Sequence, residues 1–336
     1  MAFETAQLAS AQIKLDAMAA DAVISKKYQP QVAGLRKIMQ NQTATLNEAK
    51  TKLAQSDKNF GGKVFMNWIT TDAIVEEAIT PNCDLVEPKL DASATPFDLS
   101  MEFRTGFSID EDEMKDTIYS PEELVANGML KALQVMDEGY AKRAIAKLDA
   151  FAGTNAFLNG NVFANGQTTV AANLYNEKLF SYLVRAAEMN RLRNYYILDS
   201  GELFDLKFMA EINKENGEGK GLANLLNQFD ISFDMVNFAK AAVTTDTLVV
   251  DRNSVAFVTR NRFQNTVPQG KVGQQRYKIA SKALPGVFYD VYYKETCIAV
   301  GNKDHIVETF RLQTEGDLLK APEITYPGVL AFAKGA

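Results

Sequence analysis

Apolar side chains recur at three- and four-residue steps in mid-chain: Leu124, Leu130, Leu133, Met136, Tyr140, Leu148 and Phe151. That spacing predicts a one-faced helix. Its start is written just upstream. Ser120 can cap, Pro121 suits the first helical position, and Glu123 completes a capping box. From Ser120 to about Phe151 the helix would run roughly 45 Å, longer than a small domain is wide. Such a helix organises a flat or extended molecule better than a round one.

A different period precedes it. Phe97, Leu99, Met101 and Phe103 alternate with Asp98, Ser100, Glu102 and Arg104, which predicts a half-buried strand with one wet face. Lys63 to Ile69 reads as a second strand after the break at Phe60-Gly61-Gly62. Thr80 to Pro96, with Pro81, Pro88 and Pro96, reads as loop. Residues 59–110 therefore form a long two-stranded excursion. An isolated hairpin is marginal in water, so it is expected to rest on a neighbour. Residues 1–58 are polar and rich in Ala, Gln and Lys. Leu8, Ile13, Leu15, Met18, Val23 and Ile24 come first; Val32, Leu35, Ile38 and Met39 follow Pro30. This is an arm of two or three helical pieces, too thin in apolar residues to form a core alone.

Beyond the long helix the patterns mix. Gly153 to Thr169 is a connection. Lys178 to Leu192 is an amphipathic helix, Tyr195-Tyr196-Ile197-Leu198 a short buried strand, and Gly201 to Ile212 another helix. Phe229, Ile231, Phe233 and Met235 alternate as a strand, and Leu248-Val249-Val250 is a further one. Ser254 to Phe263 fits helix or strand equally. Val287 to Ala299 and Ile306 to Leu312 form a hairpin around Gly301-Asn302-Lys303-Asp304. The tail from Ala321 is apolar and broken by proline. The class is α+β.

Charge adds an asymmetry. The formal net charge is −6, which argues against a basic surface built to bind nucleic acid. Residues 1–58 are slightly basic, and residues 59–119 hold thirteen acids against Lys63, Lys89, Arg104 and Lys115. The two regions are expected to attract each other: Lys26, Lys27, Arg36 and Lys37 near Asp110, Glu111, Asp112 and Glu113 of the same or an adjacent subunit. No charged segment followed by an apolar core opens the chain, and no apolar run reaches membrane-spanning length.

Candidate chemistry is sparse. His305 is the single histidine, which weakens every Ser/His, Cys/His and zinc reading; a surface or structural role beside Asp304 is expected. Cys83 and Cys297 lie far apart in no metal-like spacing. Gly217, Gly219 and Gly221 flank Lys220, but no Ser or Thr follows the lysine, so the run reads as a mobile tip and not a phosphate loop. The acids at 110–113 lack an EF-hand pattern. Glu76-Glu77 and Glu122-Glu123 are adjacent and do not face one site. Tyr289, Tyr292, Tyr293 and Phe310 sit on strands without a basic patch, against a nucleic-acid stacking platform. No catalytic, metal or cofactor site is predicted.

The order of parts resembles the major capsid protein of tailed bacteriophages, the Hong Kong 97-like fold shared with encapsulins. Phe97–Ile109 running through Ser120-Pro121-Glu122-Glu123 into Leu124–Phe151 carries the resemblance, with Gly153. Lys178–Leu192 before Tyr195–Leu203, Leu248–Asp251 and Gly286–Tyr292 extend it. The resemblance implies an N-terminal arm (1–58), an extended loop (59–110), the spine helix of a peripheral domain (111–155), an axial domain (about 156–290) and strands returning to the peripheral domain (291–336). It implies a shell subunit, not an enzyme, that forms hexamers and pentamers of an icosahedral shell in the virion after assembly in the host cytoplasm. The shell encloses double-stranded DNA without sequence-specific contact. The tip at Gly217, Gly219, Lys220 and Gly221 would face the capsomer axis, and the arm and loop would reach onto neighbouring subunits. Scaffolding, portal and decoration proteins are the further partners implied; residues 1–58 are short for a built-in scaffold. Some members cross-link Lys to Asn between subunits. Lys63 lies near the excursion, but no pattern fixes such a link. An encapsulin-like compartment, another virion component and a soluble α/β enzyme are the alternatives. The long helix argues against a double-barrel coat, which needs many short strands.

Overall fold

The computed structural model describes residues 5–42, 64–70, 91–110, 118–156, 169–175, 177–192, 194–204, 208, 229–252, 254–300, 303–320 and 327–335. The arm comprises α1 (Thr5–Ala20), α2 (Ala22–Lys27) and α3 (Ala33–Asn41). Asp21 makes the first break: its Oδ1 accepts from Val23 N–H at 2.8 Å and Ile24 N–H at 3.0 Å, capping α2. Leu8, Ala11 and Leu15 form one helical stripe and are buried; Ile13 and Val23 point away, 72% and 79% exposed. Leu35 and Ile38 of α3 are fully buried. All of these buried residues join the main core of the same chain. The arm thus lies on its own subunit, where the resemblance implied that it would reach onto neighbouring ones. Each such Leu or Ile is worth ~1.5–3 kcal/mol of burial, enough to hold a segment with no core of its own.

The ribbon comes next in the chain. β1 (Val64–Thr70) pairs antiparallel with β2 (Asp91–Phe97), from Val64 opposite Phe97 to Thr70 opposite Asp91. The returning strand is therefore 91–97, all but Phe97 inside the stretch expected to be loop. Pro96 misled the reading. In a two-stranded ribbon every strand has a free edge, where alternate N–H groups meet no partner and proline costs nothing. β1 and β2 pair with no other described strand.

The alternation beyond Phe97 belongs instead to the body. β3 (Met101–Asp110) keeps its even positions wet and its odd ones covered. It pairs with the long β12 (Lys303–Lys320), which forms the expected hairpin with β11 (Phe288–Val300). With β10 (Gln274–Ala280) and β9 (Gln269–Lys271) the order is β3-β12-β11-β10-β9, and β8 (Val255–Arg260) pairs the far end of β12. The long helix α4 (Pro121–Phe151) lies between the inner face of this sheet and α1. Tyr140, fully buried, sits at the centre: Phe103 and Phe257 meet its ring edge-on, each with centroids 4.9 Å away, and its hydroxyl bonds Thr314.

A second sheet runs β4 (Thr169–Val170), β13 (Val329–Lys334), β7 (Thr247–Asp251), β5 (Tyr195–Asp199) and β6 (Ile231–Phe233). Ile197, Val249, Leu330 and Phe332 face α5 (Glu177–Met189), while Tyr196, Leu198, Leu248, Val250, Val329 and Ala331 face the main core. Both faces are covered, so the strands read as unbroken apolar runs. Met235 does not continue β6. Asp234 intervenes as an N-cap, accepting from Asn237 N–H at 3.4 Å, and α6 (Met235–Ala241) follows. The sheets cut across the boundaries expected at 110, 290 and 291: β3, β8, β9 and β10 lie in the first sheet, and β13 in the second. Strand pairing over long sequence distance, invisible to local pattern, decides membership.

Candidate functional site

The best-defined predicted feature is the cap of the long helix. Ser120 N–H donates to Glu123 Oε2 at 3.0 Å, and Glu123 N–H donates to Ser120 Oγ at 3.3 Å. Pro121 occupies the first turn. Lys14 of α1 sits on top, donating to Ser120 Oγ at 2.8 Å with its Nζ 3.7 Å from Glu123. The Ser120 N–H and then the Lys14 charge hold the exposed Glu123 carboxyl below its usual range. The cap is thereby also the joint between arm and helix. Beside it Met18, Ile24, Tyr28, Tyr119 and Leu124 line an open groove of about 650 Å³.

The charged residues of the arm are engaged elsewhere than expected within the subunit. Lys37 pairs with Asp230, which also receives Arg252 at 2.9 Å. Arg36 donates to the Ala283 carbonyl at 3.1 Å. Lys27 stands 5.2 Å from the Tyr28 ring, and Lys26 is exposed. Asp110 bonds His305 Nδ1 at 3.0 Å across the first sheet. This gives the single histidine a strand-to-strand contact with Asp110. Glu111, Asp112 and Glu113, the tip at Gly217, Gly219, Lys220 and Gly221, Cys83, Lys63 and Glu76-Glu77 lie outside the described residues. Among the described residues no three His, Cys, Asp or Glu side chains are placed to hold a metal ion, and no helix is long and apolar enough to cross a membrane.

Three features escaped the sequence. Asp137, on the buried face of α4, accepts from Ser281 Oγ at 2.7 Å and Tyr289 OH at 2.5 Å. Burial pushes its carboxyl up to about 6 against the pull of those hydroxyls. Glu315 is forked by two guanidiniums, with Arg260 Nε at 2.8 Å and Arg262 Nε at 2.6 Å. Burial opposes its charge, but the arginines outweigh that and hold it low. The third is the wet face of the first sheet, where Arg104, Lys271, Arg276, Lys294 and Arg311 are exposed. A basic patch does surround Tyr292, contrary to the sequence reading. These five come singly from five strands, so no local run announces the patch.

No family model matches the chain, and no curated protein does. Among solved structures, the chain is similar to one from the capsid asymmetric unit of cyanophage A-1(L): 12% identity over 81% of this chain and 88% of that one, TM-score 0.47. It is also similar to a chain of Mycobacterium phage Che8, at 12% identity over 86% and 90% with a TM-score of 0.45. The asymmetric unit of the bacteriophage PhiM1 mature capsid gives 10% identity over 81% and 82%, with a TM-score of 0.44.

Proposed function

We propose that the chain is the major capsid protein of a tailed bacteriophage, with the Hong Kong 97-like fold, self-assembling into the hexamers and pentamers of a shell around double-stranded DNA. The observation that carries this is the ribbon β1–β2. It is paired with no other described strand, and it lies in the chain between an arm folded on the body and a long capped helix backed by a six-stranded sheet. A two-stranded ribbon is marginal in water, so copies of the chain supply its cover. The arm, the ribbon, the long helix and the two sheets occur in the order that such a subunit needs. The tip at 217–221 faces the capsomer axis, and scaffolding, portal or decoration proteins meet the assembled shell.

Particles purified from infected cells test this. Closed shells in negative stain holding nuclease-resistant double-stranded DNA are expected. Shells filled with protein and free of DNA would move the reading to an encapsulin-like compartment. The expected contact between Lys26, Lys27 and the acids at 110–113 now applies between subunits. Reversing Lys26 and Lys27 to Glu should lower shell yield, most at low salt, where surface charges are least screened. Equal yield at every ionic strength would remove that contact.

A further inference from the structure

The geometry points to the wet face of the first sheet as a surface for the phosphate backbone of double-stranded nucleic acid, an inference that rests on the shell reading and names where its cargo touches it. The strand register stacks the outward residues in rows. Arg276 lies opposite Tyr292, and Tyr292 opposite Arg311. One row along, Lys271 lies opposite Gln274, Gln274 opposite Lys294, and Lys294 opposite Thr309. The next row brings Lys278, Asp290, Gln313 and Arg104 together. Six cations therefore share one face of a chain whose net charge is −6. The acid in these rows, Asp290, is 2% exposed, and its two oxygens accept Arg262 N–H at 2.8 Å and Phe263 N–H at 3.1 Å. Among the described residues none of the six cations forms an ion pair. Arg276 instead lies 5.8 Å from the Tyr292 ring.

Spacing and composition select the partner. Neighbouring strands are ~4.8 Å apart, so Arg276 and Arg311 stand about 10 Å apart, and alternate residues along a strand about 7 Å. A duplex carries one charge per ~1.7 Å of axis, so a patch of this size meets several phosphates at once. A protein partner would need apolar anchors at the centre of the contact. The outward positions in these rows hold no aliphatic side chain, as suits the polar, strongly positive interfaces made with nucleic acid. With no groove-reading element, the contact is sequence-independent and weakens with salt, so packed DNA is held loosely and can leave.

The test uses the full-length protein and a labelled random-sequence duplex of about 30 base pairs, with binding followed from roughly 50 to 200 mM salt. The parent is compared with the triple variant Arg276→Gln, Lys294→Gln, Arg311→Gln and with Lys131→Gln on the exposed side of α4. The triple variant should bind at least ~10-fold more weakly, with a log–log salt slope shallower by about 3, while Lys131→Gln matches the parent. Parent-like binding by the triple variant overturns the inference. So does tighter binding of polyglutamate than of duplex by the parent, which would make the face a dock for an acidic protein. Open, unassembled capsomers that bind no duplex overturn it and leave the shell reading standing. A 37.1 kDa monomer whose duplex binding falls in the triple variant supports the surface and overturns the shell.

Discussion

Asp137 is the residue whose environment most exceeds its sequence context. Beside Glu138 it looks like part of a solvated helix face, yet it is 1% exposed and linked to Ser281 and Tyr289. Its carboxyl is raised from 3.8 to about 6. An acid raised in the folded state favours the fold while both states are protonated, below about pH 4. That contribution falls away as pH climbs to about 6 and is absent above it. The shift corresponds to on the order of 3 kcal/mol across the window. Asp137→Asn keeps an oxygen for the two hydroxyls and removes the titration. Denaturant unfolding of the unassembled subunit should show the parent losing about 3 kcal/mol relative to the variant between pH ~4 and ~6. Asp199, also raised to about 6, is common to both proteins and cancels. Parallel pH profiles would contradict the buried assignment.

Among the elements, the long helix shows why two glycines sit in its interior. A Cβ on Gly128 would meet the Phe107 ring at 2.6 Å, and one on Gly139 the Phe103 ring at 2.6 Å. The helix and β3 run past each other so that both rings reach the helix backbone. Phe103 cannot swing aside: Tyr140 meets it edge-on, and the Arg143 guanidinium lies 4.1 Å from its centroid. In an exposed helix Gly→Ala would stabilise by ~1 kcal/mol. Here Gly139→Ala should destabilise by about 1–3 kcal/mol, the usual result of overpacking. A rise in the thermal midpoint would show that β3 does not pack this closely. Elements set by local rules were legible in the sequence. The capping box, the 3.6-residue period of the long helix, the wet-and-dry alternation of β3 and the β11–β12 hairpin follow from neighbouring residues. Membership was not legible. β3 read as half of the ribbon because alternation says nothing about the partner. Pro96 hid β2 because the rule against strand proline lapses at a free edge. The basic face stayed invisible because its cations are far apart in sequence and meet only through register.

At the scale of the whole molecule the structure divides what the sequence lumped together. The arm needs no second copy for its apolar stripe, since Leu8, Leu15, Leu35 and Ile38 are covered by the same chain. On the proposed shell reading the ribbon carries the need for partners, and the wet sheet face offers a charged surface. Self-association is thus the central claim, and the mass of the purified full-length protein tests it most directly. Sedimentation should resolve capsomers or megadalton shells, with the amides of 64–70 and 91–97 slow to exchange only in those species. A lone 37.1 kDa particle at every concentration, its ribbon amides already protected, would contradict it.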